Sequence, residues 1–181
     1  MQDLTCFQLH NDLSGLFVIE LELIKDKRGF FSRSFCETEF SNKNINSKIM
    51  QCNISQNNEK GTIRGIHFQK SPYEQAKIVS CTQGKVYDVI VDLRANSATY
   101  CQWYAIELSA NNYKMVYIPE GFAHGFQTLE DYSIVFYQMF QHYHPESGSG
   151  VRWNDKAFNI KWPLRPKNMT IRDRNYSDFK K

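Results

Sequence analysis

The sequence predicts an all-β protein, a sandwich or barrel built from many short strands with a few short helices. Runs that alternate polar and apolar residues, or that are rich in β-branched and aromatic residues, recur along the 181-residue chain between Gly, Asn, Asp and Pro. The 13 Phe and 10 Tyr suit the half-buried surface of a pleated sheet. Strands at regular spacing, separated by turn residues, are typical of sandwiches and barrels.

Each element is predicted from its own run of residues. Strands are expected within 16–26, 28–36 (after a loop), 47–58, 62–70, 103–110, 114–121 and 133–143, and the run 75–94 predicts a hairpin that turns at Gln83-Gly84. The glycine-rich run 118–126 predicts a loop that carries His124, whereas 36–44 predicts a short helix. We expect a single domain over 1–181, with the barrel at about 10–174 and a polar C-terminal tail. After Pro163 this tail either ends loosely or folds back over the barrel.

Composition and charge argue against several classes of protein. The net charge is +3 without a block of Lys or Arg, which disfavours a nucleic-acid binder, although a mildly basic balance suits a diphosphate ligand. No apolar run is long enough to span a bilayer, and the N-terminal residues lack the basic start and apolar run of a signal peptide. Free thiols in a reducing cytoplasm, rather than disulfides or a zinc site, are expected of the five scattered cysteines, Cys6, Cys36, Cys52, Cys81 and Cys101.

The run TIRGIHFQK (62–70) places Arg64, Gly65 and His67 on one predicted strand. Side chains alternate faces along a strand, so Arg64 and His67 should point in opposite directions unless Gly65 forms a bulge. A bulge would let both side chains face the barrel interior. A glycine inside a strand often marks a bulge or a close approach to a ligand.

Other ionisable residues stand at strand ends or within apolar runs. Lys77 opens the predicted hairpin, Tyr137 lies within an apolar strand, and Arg28 precedes two Phe. Taken singly, each has a structural explanation: a solvated strand end, a core tyrosine with a satisfied hydroxyl, and a surface ion pair. A single histidine in a β protein, such as His67, is more often structural than catalytic. Its imidazole nevertheless titrates near neutral pH, which suits acid–base catalysis.

The run IPEGFAHGF (118–126) contains the P-x-G-x-x-H pattern of the second half of cupin metal sites. Metal-binding cupins add an H-x-H pair and a Glu in the first half, where this chain has His67-Phe68-Gln69. Two histidines without a third ligand rarely hold a transition metal. The pattern therefore predicts a cupin barrel with no metal site.

Eight runs together match one family in order and spacing: RGFF (28–31), QCNIS (51–55), IRGIHFQ (63–69), QAKIV (75–79), GKVYDVIVDLR (84–94), IPEGFAHGF (118–126), VRWND (151–155) and IKWP (160–163). On these runs the chain resembles the dTDP-4-dehydrorhamnose 3,5-epimerase family of sugar-nucleotide epimerases, over about residues 10–174. The resemblance implies a cupin-type double-stranded β-helix (jelly-roll barrel), an isomerase without a cofactor, and a homodimer. In that dimer the strand LFVIELELI (16–24) would extend a sheet across the two-fold axis, since an exposed edge invites pairing.

The resemblance also implies roles for individual residues. His67 matches the catalytic base, Asp173 the residue that orients it, Tyr137 the general acid, and Lys77 the group that contacts the keto oxygen. Substrate-binding roles are implied for Arg28, Phe31, Arg33, Gln51, Asn53, Arg64, His124, Tyr143 and Arg172.

Three positions depart from the family pattern. Arg33 stands where a Glu is usual, Gly148 where a second Glu is expected, and Arg172 where a Lys is usual. The departures leave the catalytic set intact but affect substrate-binding positions, so the nucleobase and the sugar stay open.

Three functions are compatible with these residues. The first is epimerisation of a nucleotide-linked 4-keto-6-deoxy sugar at carbons 3 and 5, or at one of them, for which dTDP-4-dehydro-6-deoxy-D-glucose is the expected substrate. The second is a 3,4-ketoisomerase or a metal-dependent cupin oxygenase, and the missing H-x-H counts against the oxygenase. The third is a sugar-nucleotide binder without activity, which the intact set of His67, Lys77, Tyr137 and Asp173 disfavours.

Overall fold

The computed structural model describes residues 5–9 and 13–180, with side chains described for residues 13–180. Thirteen strands lie in this part of the chain: β1 (Thr5–Leu9), β2 (Phe17–Leu21), β3 (Ile24–Asp26), β4 (Gly29–Phe31), β5 (Gln51–Asn57), β6 (Ile63–Gln69), β7 (Lys77–Gln83), β8 (Lys85–Asp92), β9 (Trp103–Ser109), β10 (Met115–Ile118), β11 (Phe122–Thr128), β12 (Ser133–Met139) and β13 (Gly148–Gly150). Helices α1 (Glu37–Asn42) and α2 (Ile171–Arg174) and a 3₁₀ helix (Pro145–Ser147) are short, as predicted.

Two antiparallel sheets form a sandwich. The six-stranded sheet has the order β1-β2-β10-β7-β12-β5, and the five-stranded sheet has the order β13-β6-β11-β8-β9. Strands β3 and β4 form a separate hairpin. The predicted all-β architecture with few helices is therefore confirmed.

The space between the two sheets is filled by apolar side chains over part of its length. Val79 and Val135 of the larger sheet belong to the same core cluster as Ile90 and Phe126 of the smaller sheet. Burial of such side chains is the main stabilising contribution to a sandwich of this kind. On the outer face of the larger sheet, helix α1 packs through the fully buried Phe40, which explains why this short helix is retained.

The expected hairpin over 75–94 is wrong. Strands β7 and β8 are consecutive in the chain but belong to different sheets. The residue between them, Gly84, therefore connects the two sheets and is not the turn of a hairpin. Gly84 has φ +70°, and a Cβ there would lie 2.6 Å from Oγ of Ser133. Two successive strand patterns joined by a turn glycine look alike in sequence whether the strands pair or cross between sheets.

Two further predictions are corrected. His124 is not in a loop, because Phe122–Thr128 forms β11, which pairs with both β6 and β8. In the run 28–36 the strand is only Gly29–Phe31. The strand within 16–24 offers no free edge within this chain, since β2 pairs with β1 on one side and β10 on the other.

The polar tail folds back over the barrel, one of the two alternatives left open. The side-chain amide of Gln127 exchanges two hydrogen bonds with the backbone of Leu164, of 2.9 and 3.0 Å. Farther along, the backbone N–H of Ile63 donates to the carbonyl of Asn168 at 2.9 Å. These bonds carry the chain to α2, whose Asp173 enters the sandwich.

The predicted absence of a signal peptide concerns the run 1–15, of which residues 1–4 and 10–12 lie outside the described residues, as does the side chain of Cys6. The cysteines with described side chains, Cys36, Cys52, Cys81 and Cys101, are free thiols. In the described part of the chain, no helix has the length and apolar character to cross a membrane.

Candidate active site

Strand β6 carries a bulge at Gly65. His67 pairs with His124 on β11 and Arg64 pairs with Phe126, so that three steps along β6 match two steps along β11. The extra residue brings Arg64 and His67 to the same cavity, as the sequence suggested for a bulged strand. Gly65 has φ +114°, and a Cβ there would lie 2.6 Å from Cα of Gly125. Only glycine fits this close contact between the two strands.

Gly65→Ala is expected to lower the free energy of unfolding by about 3 kcal/mol, because both a positive φ and a backbone clash oppose the new methyl group. Gly29→Ala is a matched control, since Gly29 has φ +132° but nothing within 4 Å of an added Cβ. Urea unfolding of both variants separates the clash from the backbone strain. Equal losses in the two variants would contradict a close contact at Gly65.

His67 and Asp173 form a hydrogen-bonded dyad at the wall of this cavity. Nε2 of His67 lies 2.6 Å from Oδ1 of Asp173, while Oδ2 of Asp173 accepts from the backbone N–H of Gly65 at 3.2 Å. Thr170 caps helix α2 by accepting from the backbone N–H of Asp173 at 3.1 Å. Burial raises the pKa of Asp173, but the hydrogen bond and charge of His67 outweigh it and hold that pKa below its usual value. The carboxylate therefore orients His67 with its hydrogen on Nε2, which leaves Nδ1 with a lone pair.

Lys77 opens β7 and lines the same cavity as the dyad. Its side chain is buried, and burial lowers its pKa to about 8, against the opposing influence of Asp88. Asp88 on β8 is fully buried, and its Oδ2 lies 2.8 Å from Nε2 of His124. The cavity thus contains an ammonium group in a poorly hydrated position, where its charge interacts strongly with a ligand.

Tyr137 on β12 faces the same space. Burial raises the pKa of its phenol, and the positive charge of Arg64 opposes that rise. Arg64 is held by its Nε, which donates to Oδ1 of Asn57 at 2.7 Å. Oγ of Ser55, on the same strand as Asn57, is buried and has no hydrogen-bond partner among the described residues. The inward polar face of β5 therefore both positions an arginine and offers a free hydroxyl.

These side chains enclose a cavity of about 280 Å³, lined by Ser55, Arg64, His67, Lys77, His124, Phe126, Tyr137, Thr170, Arg172 and Asp173. A smaller cavity of about 80 Å³ adjoins it, shares His67, Lys77 and Arg172, and includes Tyr143 and Tyr176 in its wall. Gln51 accepts from the backbone N–H of Tyr143 at 3.0 Å and donates to Asn53 at 3.4 Å. The structure thus brings together the four residues predicted as catalytic, and it gathers Arg64, His124, Tyr143 and Arg172 around them.

Five residues predicted to bind substrate lie outside both cavities: Gln51 and Asn53 on β5, and Arg28, Phe31 and Arg33 on or after the β3–β4 hairpin. Arg28 has 84% of its side chain exposed and pairs with Asp26 at 2.5 Å, and Phe31 is 64% exposed on the same β3–β4 hairpin. Arg33 donates to the buried carboxylate of Glu39 at 2.6 Å, so it anchors helix α1. Arg28 and Phe31, on the hairpin, are placed to meet a second copy of the chain rather than the cavity of their own chain.

Sequence reasoning missed Asp88 and Ser55. A signal for Asp88 was present, because Asp88 alternates with Val86 and Ile90 on the face of β8 that enters the core. A carboxyl on a core face is rare without a specific partner. Ser55 had no comparable signal, since serine occurs on either face of an edge strand.

Within residues 13–180, where side chains are described, no group of three or more His, Cys, Asp or Glu side chains is placed to hold a metal ion.

Comparison with known proteins assigns the chain to a family. The family model described as dTDP-4-dehydrorhamnose 3,5-epimerase matches residues 10–181. The dTDP-4-dehydrorhamnose 3,5-epimerase of Methanothermobacter thermautotrophicus is 39% identical over 175 residues, which cover 95% of this chain and 94% of the relative. The protein belongs to this epimerase family.

Solved structures of the epimerase family superpose closely on this member. The enzyme from Bacillus anthracis, with TDP and PPi bound, is 39% identical with a TM-score of 0.93, covering 97% of this chain and 99% of that one. The dTDP-6-deoxy-D-glucose-3,5-epimerase from Legionella pneumophila, in complex with dTDP-4-keto-L-rhamnose, is 35% identical with a TM-score of 0.87, covering 93% and 89%. The predicted cupin fold and the predicted class, an isomerase of the epimerase family, are confirmed.

Proposed function

We propose that this member of the epimerase family inverts carbons 3 and 5 of a nucleotide-linked 4-keto-6-deoxy sugar, converting dTDP-4-dehydro-6-deoxy-D-glucose to dTDP-4-dehydro-L-rhamnose. The observation that carries the proposal is the convergence of His67, Lys77 and Tyr137 on one cavity. The ligands bound by the relatives from Bacillus anthracis and Legionella pneumophila support a dTDP-linked sugar as the substrate.

In the proposed reaction His67 is the base. Its Nδ1 lone pair takes the proton from the carbon next to the keto group, and Asp173 stabilises the resulting imidazolium through the 2.6 Å hydrogen bond. The electron pair of the broken C–H bond moves to the keto oxygen as an enolate. The Lys77 ammonium stabilises that oxygen, and one such donor contributes about 3–4 kcal/mol to the transition state.

Tyr137 completes the inversion as the general acid. Its phenol gives a proton to the opposite face of the same carbon, which reverses the configuration. The phenolate then regains a proton from solvent, and the imidazolium releases one to solvent. Arg64 beside the phenol favours the transient phenolate.

Solvent exchange tests the proposal directly. The protein is incubated with dTDP-4-dehydro-6-deoxy-D-glucose in heavy water, and the mass of the sugar is read over time. A gain of two deuterons with formation of the L-rhamno product is expected. A gain of one would identify a single-site epimerase, and the absence of exchange with dTDP-, GDP-, CDP- and UDP-linked keto sugars would overturn the proposal.

Tyr137→Phe is expected to separate exchange from inversion. The base remains, so deuterium still enters from the face of His67, while epimerisation falls by about 10²–10⁴-fold because the opposite face lacks its acid. Mass spectrometry reports exchange and NMR reports configuration. Tyr87→Phe, a change on the outer face of β8 beside Trp162, is the control. A parallel loss of exchange and inversion would contradict the assigned role of Tyr137.

We further propose a homodimer that brings Arg28 and Phe31 to the site of the partner. The β3–β4 hairpin holds both residues away from the cavity of their own chain, with Phe31 largely exposed. The outer face of the six-stranded sheet also exposes Ile54 (72%) and has a groove of about 300 Å³ that includes Phe136. Apolar surface of this kind favours contact with another protein surface.

Subunit complementation tests the shared site. His67→Ala and Arg28→Ala chains are mixed, unfolded and refolded together. If Arg28 acts across the dimer, each mixed dimer has one intact site, and about a quarter of the wild-type activity returns in the mixture. No recovery, or a monomer by light scattering, would overturn the shared site.

A further inference from the structure

A buried carboxylate lies behind the wall of the candidate active site. Asp88 is fully buried on β8, and its Oδ2 accepts a hydrogen bond from Nε2 of His124 at 2.8 Å. Its other oxygen, Oδ1, is buried without a hydrogen-bond partner among the described residues. An unpaired buried carboxylate oxygen destabilises a fold, which indicates a role for Asp88 other than stabilising the fold.

Lys77 of β7 and Asp88 of β8 both point between the two sheets, and His124, which Asp88 contacts at 2.8 Å, lines the same cavity as Lys77. Lys77 is 7% exposed and makes no ion pair within 4.0 Å to any residue that the structure describes. Burial lowers the pKa of Lys77 to about 8, and the charge of Asp88 opposes that shift. Burial likewise raises the pKa of Asp88, and His124 and Lys77 oppose the rise. Each group therefore favours the charged form of the other.

Among the side chains described for residues 13–180, the cavity walls offer one other carboxylate near Lys77. The titratable and charged side chains that line the two cavities with Lys77 are Arg64, His67, His124, Tyr137, Tyr143, Arg172, Asp173 and Tyr176. Of these, Asp173 has the carboxylate, and both of its oxygens are engaged by His67 and the backbone of Gly65. Asp88 is thus the carboxylate available to balance the ammonium group.

We propose that Asp88 is a positioning residue that keeps Lys77 in its ammonium form and holds His124 with its hydrogen on Nε2. The inference rests on the proposed function, in which the Lys77 ammonium stabilises the enolate oxygen. A neutral amine at the same position is a weak donor, so loss of the proton from Lys77 removes most of that stabilisation. Asp88 itself stays behind the cavity wall and acts through these two side chains.

Asp88→Asn tests the inference, because the amide keeps the shape and can still accept the hydrogen bond from His124. The pH dependence of kcat/KM is measured for the wild type and the variant. The alkaline limb of the profile is expected to move toward acid by up to about one unit, since the buried charge of Asp88 raises the pKa of Lys77 and the amide does not. The activity on the acid side of the limb should change far less.

Asp92→Asn is the matched control, because Asp92 is a second fully buried carboxylate on β8 that accepts from Arg94 at 2.7 Å, outside the cavity. Asp92→Asn should lower stability but leave the alkaline limb in place. If the Asp88→Asn profile superposes on the wild type, or falls uniformly at every pH, the inference is overturned.

A measurement without substrate keeps this outcome separate from the proposed function. The free energy of unfolding is followed against pH for wild type and Asp88→Asn. The free energy of unfolding rises with pH once folded Lys77 loses its proton, because the unfolded chain still holds it. Loss of the carboxylate should move the start of this rise to a lower pH. That shift supports the inference even if the wild type leaves the dTDP sugar unchanged, and its absence counts against the inference.

Discussion

Replacement of His67 by alanine is expected to abolish both deuterium exchange and epimerisation, with a loss of about 10⁴-fold or more, because the variant lacks the base of the proposed reaction. His67→Gln is the companion variant, since its side-chain amide can still donate to Asp173 at the position of Nε2. Both variants should show the same loss, measured as initial rate of exchange by mass spectrometry. Near-wild-type turnover in either would refute His67 as the base.

One further variant tests the dyad, and a second serves as its control. Asp173→Asn should reduce turnover by up to about 10⁴-fold, because an amide neither enforces the tautomer of His67 nor stabilises the imidazolium. His142→Ala removes an exposed histidine outside both cavities and should leave the rate unchanged. A large loss in His142→Ala would show that the effect at His67 is not specific to the dyad.

Lys77→Met is expected to lower kcat by about 10²–10³-fold through loss of the donor to the enolate oxygen. The same change should make the protein more stable. Burial lowers the pKa of Lys77 from 10.5 to about 8, which corresponds to about 3 kcal/mol of unfavourable burial. The lowered pKa already includes the favourable charge of Asp88, so the net gain near neutral pH should be up to about 3 kcal/mol.

The pH dependence of this gain has a definite sign. Between about pH 8 and pH 10.5 the unfolded chain keeps a proton on Lys77 that the folded chain has lost, so the stability of the wild type rises across this window. Lys77→Met lacks the rise, and its advantage over the wild type should shrink as the pH increases. Lys85→Met, a surface control whose ammonium pairs with Glu107 at 3.3 Å, should change stability by less than about 0.5 kcal/mol. A destabilised Lys77→Met would contradict this account.

Strands were predictable from sequence because alternation is a local property, whereas the pairing of strands is not. The run 75–94 has the pattern of a hairpin, yet β7 and β8 separate into two sheets at Gly84. The sequence of IPEGFAHGF has enough glycine for a loop, but two neighbouring strands pair with it and make it a central strand. Tertiary pairing overrides local propensity in both cases.

Residues of the candidate site were predictable where their type and sequence neighbours indicated a specific role. The glycine between Arg64 and His67 left open a bulge that would turn both side chains to the interior, and the resemblance supplied Asp173, Lys77 and Tyr137. The interaction of Arg33 with Glu39 could not be read from sequence, because it depends on where α1 docks. Asp88 was visible as a carboxyl on a core face, but its partners come from two other strands.

The partner of the base is synthesised long after the base itself. Asp173 follows His67 by 106 residues, and it reaches Nε2 only when the segment after Pro163 has crossed the barrel. During translation, the sandwich can therefore form around Lys77 and Tyr137 while the imidazole still lacks its carboxylate. A chain that ends before residue 173 should therefore be catalytically inactive even where its sandwich forms, because its imidazole has no carboxylate to fix the tautomer.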